Sequence, residues 1–455
     1  MKKSILTLII TALFTTFPLN VVLAQDNATP NTAVNNGDTA SKTEKQSDEK
    51  LAQSLADLQS SMEKLAVSVQ SAVANSSENL ATAVQNVVQG SVENFAERLK
   101  DSVKKPQQNA EQNASSTPAT NESAVQNSAV LPVIEAELTT APNVPAPIKR
   151  DYPARVVIKL EALEKIMEIM PKVQFKYWTY NGSTPAPFIR VREGDTVEVH
   201  FSNPINSKLP HSIDFHSAAA PEGTALASNT AAGHTSIYQF KVLNPGLYLY
   251  HCAAMPGAPT HIGKGMFGLM LVEPKEGLPA VDKEFYIVQN EFYTQGEFGE
   301  AGLQVFSTQK ARYELPDYVV FNGHYGSMLG DNALQAKTGE KLRFYVGNAG
   351  PNKISSFHLI GKPFDTVYVE GGSLQNHNVQ TTLIPAGGAV IAETRILVPG
   401  QYPFVDHSLF RTEKGAKGIL KVSGEENPQI FSGKLKDEPY TKRNPDADVS
   451  TGFQH

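Results

Sequence analysis

The chain has 455 residues, a formal net charge of −6 and a single cysteine, Cys252. The negative charge excludes a nucleic-acid-binding protein that is held mainly by counterion release from phosphates, and the single cysteine excludes an intrachain disulfide. Between residues 25 and 150 the only aromatic residue is Phe95. A stretch so poor in large apolar side chains cannot offset the conformational entropy of ordering a compact core. That leaves about 300 residues for folded domains, enough for two.

The N-terminus predicts an export signal over residues 1–24. Lys2 and Lys3 precede a mostly apolar run, Ile5 to Phe17, and small residues suitable for cleavage end at Ala24. The apolar run is too short for a membrane span, and no stop-transfer pattern follows it. We therefore expect an exported protein. In an oxidising compartment, an unpaired cysteine is either a reactive thiol or a metal thiolate.

Residues 25–147 predict a low-complexity extension and linker. Apolar residues recur at steps of three and four from Leu51 to Val69 and again from Leu80 to Leu99, which indicates partial helix or a coiled-coil seam. Residues 106–147 are rich in Gln, Asn, Ser and Pro and predict a linker. The extension could be an oligomerising stalk, a tether to the outer membrane, or a solvated spacer without chemistry.

Residues 148–424 predict an all-β fold made of two similar Greek-key sandwiches. Short β-branched and aromatic runs alternate with Gly, Pro and Asn turns. The segment at 192–197 resembles the one at 337–342, and the segment at 244–248 resembles the one at 398–402. Two copies of one sandwich explain these repeats best. The predicted boundaries are 148–275 for the first sandwich, 276–424 for the second and 425–455 for a C-terminal tail.

One group of residues in the first sandwich predicts a metal site. Eight residues separate Cys252 from His261, four separate His261 from Met266, and His211 lies far upstream. Two histidines, a thiolate and a thioether are the ligand set of a blue-copper electron-transfer site. The short spacings fit a strand end and the loop that leads into the next strand, while His211 would arrive from a distant strand.

Strand alternation predicts a second metal site beside the first. Neighbouring residues on a strand face opposite sides, so His251 points away from Cys252. By the same parity, Asp214 and His216 point away from His211. His216 and His251 would then hold a second metal with Asp214 beside it. The peptide bond between His251 and Cys252 would connect the two metals covalently.

A metal with two histidine ligands needs a third, and the second sandwich offers His358 and His407. The residue pattern alone leaves the choice between them open. Together, four segments resemble the dissimilatory copper-containing nitrite reductases, in order and without a missing motif, from about residue 148 to residue 424. These segments are Leu209–His216, Tyr250–Met266, Ser356–Gly361 and Asp406–Phe410.

The resemblance implies two tandem cupredoxin domains with two coppers per chain, and a homotrimer in which a neighbouring subunit supplies one ligand of the second copper. It also implies a pair of catalytic acids and a residue that crowds the substrate pocket. By matching motif, the type 1 ligands are His211, Cys252, His261 and Met266, the type 2 ligands are His216, His251 and the neighbour's counterpart of His407, the acids are Asp214 and His358, and the pocket residue is Ile360.

The implied activity is the reduction of nitrite to nitric oxide, with one electron and two protons consumed and water released. Electrons would come from a small periplasmic redox protein, a cupredoxin or a c-type cytochrome, and would pass through Cys252 and His251. Asp214 and His358 would deliver the protons, and a nearby copper dication is expected to favour the ionised form of Asp214. The implied location is the periplasm. The resemblance does not extend to residues 25–147.

Two other functions fit parts of the pattern. A multicopper oxidase needs several His-x-His pairs and a His-Cys-His element, whereas here Ala253 follows Cys252 and no His-x-His occurs in the sequence. A non-enzymatic electron carrier or copper-binding protein needs only the type 1 ligands and leaves the other histidines without a role. Copper content separates the three functions, with one ion per chain for the carrier, two for the reductase and four for the oxidase.

Overall fold

A computed structural model describes residues 131–254 and 257–442. The predicted signal peptide, the two segments with helical spacing and the end of the C-terminal tail lie outside the described residues. The described part contains 21 β-strands and three short α-helices, so it has the predicted all-β fold. None of its helices is long and apolar enough to cross a bilayer.

The strands of the first sandwich have one buried and one more exposed face where their apolar residues alternate. In β5, for example, every second side chain is buried. The elements are β1 (Val133–Glu135), β2 (Arg155–Met170), β3 (Val173–Tyr180), β4 (Ile189–Arg192), β5 (Thr196–Asn203), β6 (Asp214–Phe215), a 3-10 turn (Pro221–Thr224), β7 (His234–Lys241), β8 (Gly246–His251), α1 (Ala258–Gly263) and β9 (Phe267–Glu273).

Two sheets enclose the core of this sandwich. One has the order β3-β2-β5-β7 with β1 paired to β2, and the other has the order β4-β9-β8-β6. Buried Val156 and Phe201 of the first sheet belong to the same apolar cluster as Tyr250 and Met270 of the second. This packing holds the C-terminal end of β8 rigidly between two layers.

The linker that the sequence predicts up to residue 147 is shorter in the structure. β1 pairs in parallel with the start of β2, Thr139 pairs with Phe188, and the side chain of Arg190 donates a hydrogen bond to the carbonyl of Pro145 at 2.6 Å. Residues from Val133 onwards therefore belong to the first sandwich. A three-residue strand carries too little periodicity to be found in sequence, and its partner supplies the order.

The second sandwich has its own apolar core and begins with β10. Its elements are β10 (Lys283–Phe292), β11 (Gly302–Gln304), α2 (Thr308–Arg312), β12 (Tyr318–Phe321), a 3-10 turn (Gly330–Asn332), β13 (Leu334–Lys337), β14 (Lys341–Gly350), β15 (Ser355–Leu359), β16 (Phe364–Tyr368), a 3-10 turn (Val369–Gly371), β17 (Gln375–Val379), β18 (Thr381–Ile384), β19 (Gly388–Arg395), β20 (Gly400–Asp406), α3 (Phe410–Glu413) and β21 (Lys417–Ser423).

The sheets of the second sandwich have the orders β12-β10-β14-β19-β16-β17 and β13-β21-β20-β15-β18. One element crosses over, because β11 pairs in parallel with β3 and extends a sheet of the first sandwich. The described part of the tail, residues 425–442, contains no strand or helix. The two sandwiches are thus joined by strand pairing as well as by side-chain packing.

The centre of the contact between the sandwiches is an apolar, buried cluster. Leu247 and Leu249 of β8 and Leu269 of β9 pack against Tyr286 of β10 and Ile391 of β19. All seven residues of β9 are buried, as expected for a strand that is covered on both faces. β8, which leads into His251 and Cys252, is therefore held between the two cores.

Candidate metal centres

The first candidate centre forms where β8 ends. The backbone N–H of Cys252 donates to the carbonyl of Met266 at 3.1 Å, so the β8–β9 ladder continues beyond its last assigned pair. Residues directly opposite in an antiparallel pair project to the same face, which places Met266 on the side of Cys252. His261 lies on α1, and His211 is held by a backbone bridge to Thr230. The predicted loop between Cys252 and Met266 thus contains a short helix.

The four predicted ligands of the first metal lie in a buried pocket. The sulfur of Cys252 lies 3.2 Å from Nδ1 of His261 and 3.8 Å from Nδ1 of His211, and the two Nδ1 atoms are 3.2 Å apart. Met266 is completely buried, and the other three are at most 2% exposed. The backbone N–H of Ser212 donates to the sulfur at 3.4 Å. The structure therefore brings together the residues predicted for the first metal.

Burial prepares this pocket for a metal cation. It lowers the pKa of His211 and of His261 to about 4, so at neutral pH both imidazoles are uncharged and keep a free lone pair. Burial also raises the pKa of the Cys252 thiol, which means that its thiolate needs a cation beside it. Two neutral imidazoles, one sulfur anion and a thioether fit copper in both oxidation states.

The second candidate centre lies on the other face of the same strand end. Nε2 of His216 and Nε2 of His251 are 3.0 Å apart, with the two rings nearly perpendicular. Oδ2 of Asp214 lies 3.9 Å from Nε2 of His251. β6 pairs with β8 so that Asp214 is directly opposite His251. The structure therefore brings together the three residues that strand parity predicts for the second metal.

The tautomer of His251 follows from its surroundings. Its Nδ1 lies 3.2 Å from the carbonyl of Cys252, so Nδ1 carries the proton and Nε2 presents a lone pair towards His216. Burial, and then the charge of His216, lowers the pKa of His251 to about 4. Two Nε2 atoms at this distance, one of them fixed as an acceptor, fit a shared metal ion.

Asp214 is more protected than the sequence indicates. Gly223, in the 3-10 turn, covers its carboxylate so closely that a Cβ at Gly223 would collide with it. Burial raises the pKa of Asp214, and the charge of His216 opposes this shift. The expectation of a more readily ionised carboxyl considered only the charge of a copper ion. In the metal-free chain desolvation acts in the opposite direction, and the expectation for the copper-loaded protein stays a prediction.

His358 and His407 form a separate pair on the second sandwich. Their ring centroids are 5.2 Å apart. The backbone N–H of His407 donates a hydrogen bond to the carbonyl of Ser356 at 2.8 Å. Nδ1 of His358 donates to the carbonyl of Gln380 at 2.5 Å, which leaves its Nε2 free. Ile360, 42% exposed, follows directly after β15.

Within one chain the second centre remains incomplete. Among the described residues, the ligand atoms that cluster there come from Asp214, His216 and His251 only. His358 and His407 do not belong to this group, so one copy of the chain does not bring the predicted acid pair, or the predicted third ligand, to one place.

Sequence reasoning missed Asp406, the residue before His407. Its fully buried carboxylate accepts hydrogen bonds from the side chains of Gln289 and Arg411, at 2.9 and 2.6 Å, and from the backbone N–H groups of Ser356 and Ser408, at 3.2 and 3.0 Å. Asp406 therefore ties both strands beside His407 together. An acidic residue directly after the apolar pair Phe404-Val405 and next to a candidate ligand was the available signal.

Comparison with known proteins assigns the family. A family model described as multicopper oxidase matches residues 163–277. The copper-containing nitrite reductase of Neisseria gonorrhoeae is 59% identical over 311 residues, which cover 68% of this chain and 79% of that protein. That of Neisseria meningitidis serogroup A is 58% identical and covers 68% and 80%. The chain belongs to the copper-containing nitrite reductase family.

Solved structures of this family share the fold of the chain. The copper nitrite reductase from Nitrosomonas europaea is 34% identical with a TM-score of 0.54, and the match covers 60% of this chain and 96% of that one. A multicopper oxidase is 30% identical with a TM-score of 0.52 and coverage of 65% and 96%. The comparisons confirm the predicted resemblance and the tandem cupredoxin fold. The chain is therefore a copper-dependent oxidoreductase, as predicted.

Proposed function

We propose that this chain reduces nitrite to nitric oxide with one type 1 and one type 2 copper per chain. The observation that carries the proposal is the pair of donor clusters at the end of β8. Consecutive residues, Cys252 and His251, contribute one ligand atom to each cluster from opposite faces. An electron carrier has no use for the second cluster, and the sequence lacks the histidine pairs of a trinuclear oxidase site.

The roles of the ligands follow from their chemistry. His211, Cys252, His261 and Met266 would hold the type 1 copper in a pocket that excludes water. His216 and His251 would hold the type 2 copper at the protein surface, where a small anion can enter. Bound copper supplies one-electron redox chemistry at the first centre and a Lewis acid for nitrite at the second. The carbonyl of Cys252 accepts a hydrogen bond from Nδ1–H of His251, so the two ligands are linked by this hydrogen bond as well as by the peptide bond.

The third type 2 ligand would be His407 of a neighbouring copy in a homotrimer. His407 is exposed, and two large apolar residues that follow it closely in sequence are exposed as well, Leu409 at 52% and Phe410 at 84%. An exposed apolar patch of this kind is typical of an interface. A threefold arrangement would join the first sandwich of one copy to the second sandwich of the next around a ring.

Asp214 and His358 would deliver the two protons. A carboxyl whose pKa is raised by burial holds its proton closer to neutral pH than an exposed aspartate does. His358 has Nδ1 committed to the carbonyl of Gln380, so a proton would be delivered from its Nε2. Ile360 would form a wall of the nitrite pocket.

The electron donor would be a small redox protein, a cupredoxin or a c-type cytochrome, and the location would be the periplasm. Two features support that location, the export signal expected at residues 1–24 and an unpaired cysteine, Cys252, that lies in a cluster of metal-ligating side chains. The extension would then tether or space the folded part from the outer membrane, with domain boundaries close to residues 275 and 424.

Copper content and product analysis test this proposal together. We expect two copper ions per chain, an intense thiolate-to-copper absorption, and stoichiometric nitric oxide from nitrite with an artificial reductant. His216→Ala should lose one copper ion and nitric oxide production while it keeps the absorption. One copper ion per chain without nitric oxide would indicate a carrier, and four with oxygen consumption an oxidase.

A further inference from the structure

A lysine side chain lies in an aromatic box beside the first centre. Lys264 follows α1, and its Nζ lies 4.7 Å from the ring centroid of Trp178, 5.4 Å from that of Phe175 and 5.9 Å from that of Phe306. The backbone N–H of Trp178 donates to the carbonyl of Lys264 at 2.9 Å. Ammonium groups over aromatic faces are held by the ring quadrupole. The charge of Lys264 is thus kept at a defined position.

The same indole ring contacts both imidazoles of the first centre. The ring centroid of Trp178 is 4.5 Å from that of His261 and 5.6 Å from that of His211. The ammonium therefore lies within about 9 Å of the His261 ring. Only 9% of Trp178 is exposed, so the ring that both groups contact is shielded from solvent.

The acidic residue whose charge acts on Lys264 is Glu164, and its carboxylate is paired with another lysine. The carboxylate of Glu164 forms a salt bridge with Lys176 and accepts a hydrogen bond from the backbone N–H of Lys208 at 3.4 Å. The structure gives Lys264 no salt bridge among the described residues. The ammonium of Lys264 is therefore a cation beside the first centre with no salt-bridge partner among the described residues, and the charge of Glu164, which also acts on Lys264, His211 and His261, offsets part of its effect.

We propose that Lys264 raises the reduction potential of the type 1 copper, an inference that rests on the proposed function. When the centre gains one electron its charge falls by one unit, and a fixed cation nearby favours the state with less positive charge. Unit charges about 9 Å apart in a partly buried setting change an equilibrium by roughly twentyfold. Lys264 is only half-buried, and solvent screening lowers this to about tenfold.

Potentiometric titration of the copper-loaded full chain measures this effect through the thiolate-to-copper absorption. In Lys264→Met the ratio of reduced to oxidised centre at a fixed potential should fall about tenfold, which is about 59 mV for one electron. Lys264→Gln should behave in the same way. Lys264→Arg keeps the charge and can stack on the rings, so it should stay within twofold of wild type.

Lys159→Met is the matched control, because Lys159 is an exposed lysine of the same sandwich that pairs with Glu135. Its titration should overlay that of the wild type. The inference would be overturned if the ratio of reduced to oxidised centre in Lys264→Met and Lys264→Gln stayed within twofold of wild type. It would also be overturned if that ratio fell as far in Lys264→Arg as in Lys264→Met. A wild-type chain that binds copper without the thiolate absorption would overturn the proposed function, and this inference with it.

Discussion

Replacing Asp406 tests how the second sandwich holds His407. The carboxylate is fully buried and accepts four hydrogen bonds, two of them from side chains and two from backbone N–H groups. Asp406→Ala removes all four acceptor contacts and leaves the guanidinium of Arg411 without its carboxylate. Arg411 is 23% exposed at its side chain, so water can replace only part of the loss.

The expected cost follows from these contacts. Breaking a buried ion pair by removing one partner costs about 3–5 kcal/mol, and the lower half of that range applies because Arg411 reaches solvent. For a protein of this size, each kcal/mol lowers the unfolding temperature by roughly 2 °C. Asp406→Ala should therefore unfold about 6–8 °C below the wild type. Displacement of His407 should also lower the type 2 copper content while the type 1 absorption persists.

Differential scanning calorimetry on the copper-free chain measures the stability, since bound metal would add its own contribution. Asp437→Ala is the control, because its salt bridge with Lys434 is exposed on both sides and should contribute at most about 1 kcal/mol. An Asp406→Ala protein that unfolds within 1 °C of this control, with both coppers retained, would refute the positioning role of Asp406.

Three further predictions concern the centres themselves. Cys252→Ala should abolish the intense visible absorption and turnover with a protein donor, yet keep type 2 copper. Asp214→Asn keeps the shape of the side chain and removes its proton, so nitrite turnover should fall by about 10²–10⁴-fold with both coppers retained. In the copper-free protein, neutral buried imidazoles stabilise the fold above pH 6.5, and this stability should be lost as the pH falls towards about 4, because the unfolded chain binds protons first. The histidines concerned are His211, His251 and His261.

Each of these predictions has a clear contrary result. A coloured Cys252→Ala protein would remove Cys252 from the first centre. Turnover of Asp214→Asn within threefold of wild type across the pH range would make Asp214 a structural neighbour of the metal. An unfolding temperature of the copper-free protein that does not change between pH 6.5 and pH 4 would mean that the three imidazoles are not buried as described.

The sequence by itself determined the two donor clusters and their separation. Strand alternation is a local property, so the opposite faces of His251 and Cys252 could be inferred from their adjacency alone. The short spacings from Cys252 to His261 and Met266 also stay within one strand, one loop and the next strand. The all-β class followed from short β-branched and aromatic runs between Gly, Pro and Asn turns, which are local features of the sequence.

Only the tertiary structure decided which charged groups and which covering segments surround these clusters. Gly223 covers Asp214, Asp406 anchors the strands beside His407, and Lys264 faces His261 across an indole ring. β1 and β11 likewise owe their order to partner strands far away in the chain. Burial and charge at a site depend on residues that are distant in sequence, and no local period encodes them. For this reason the desolvation of Asp214 could not be predicted before the fold was known.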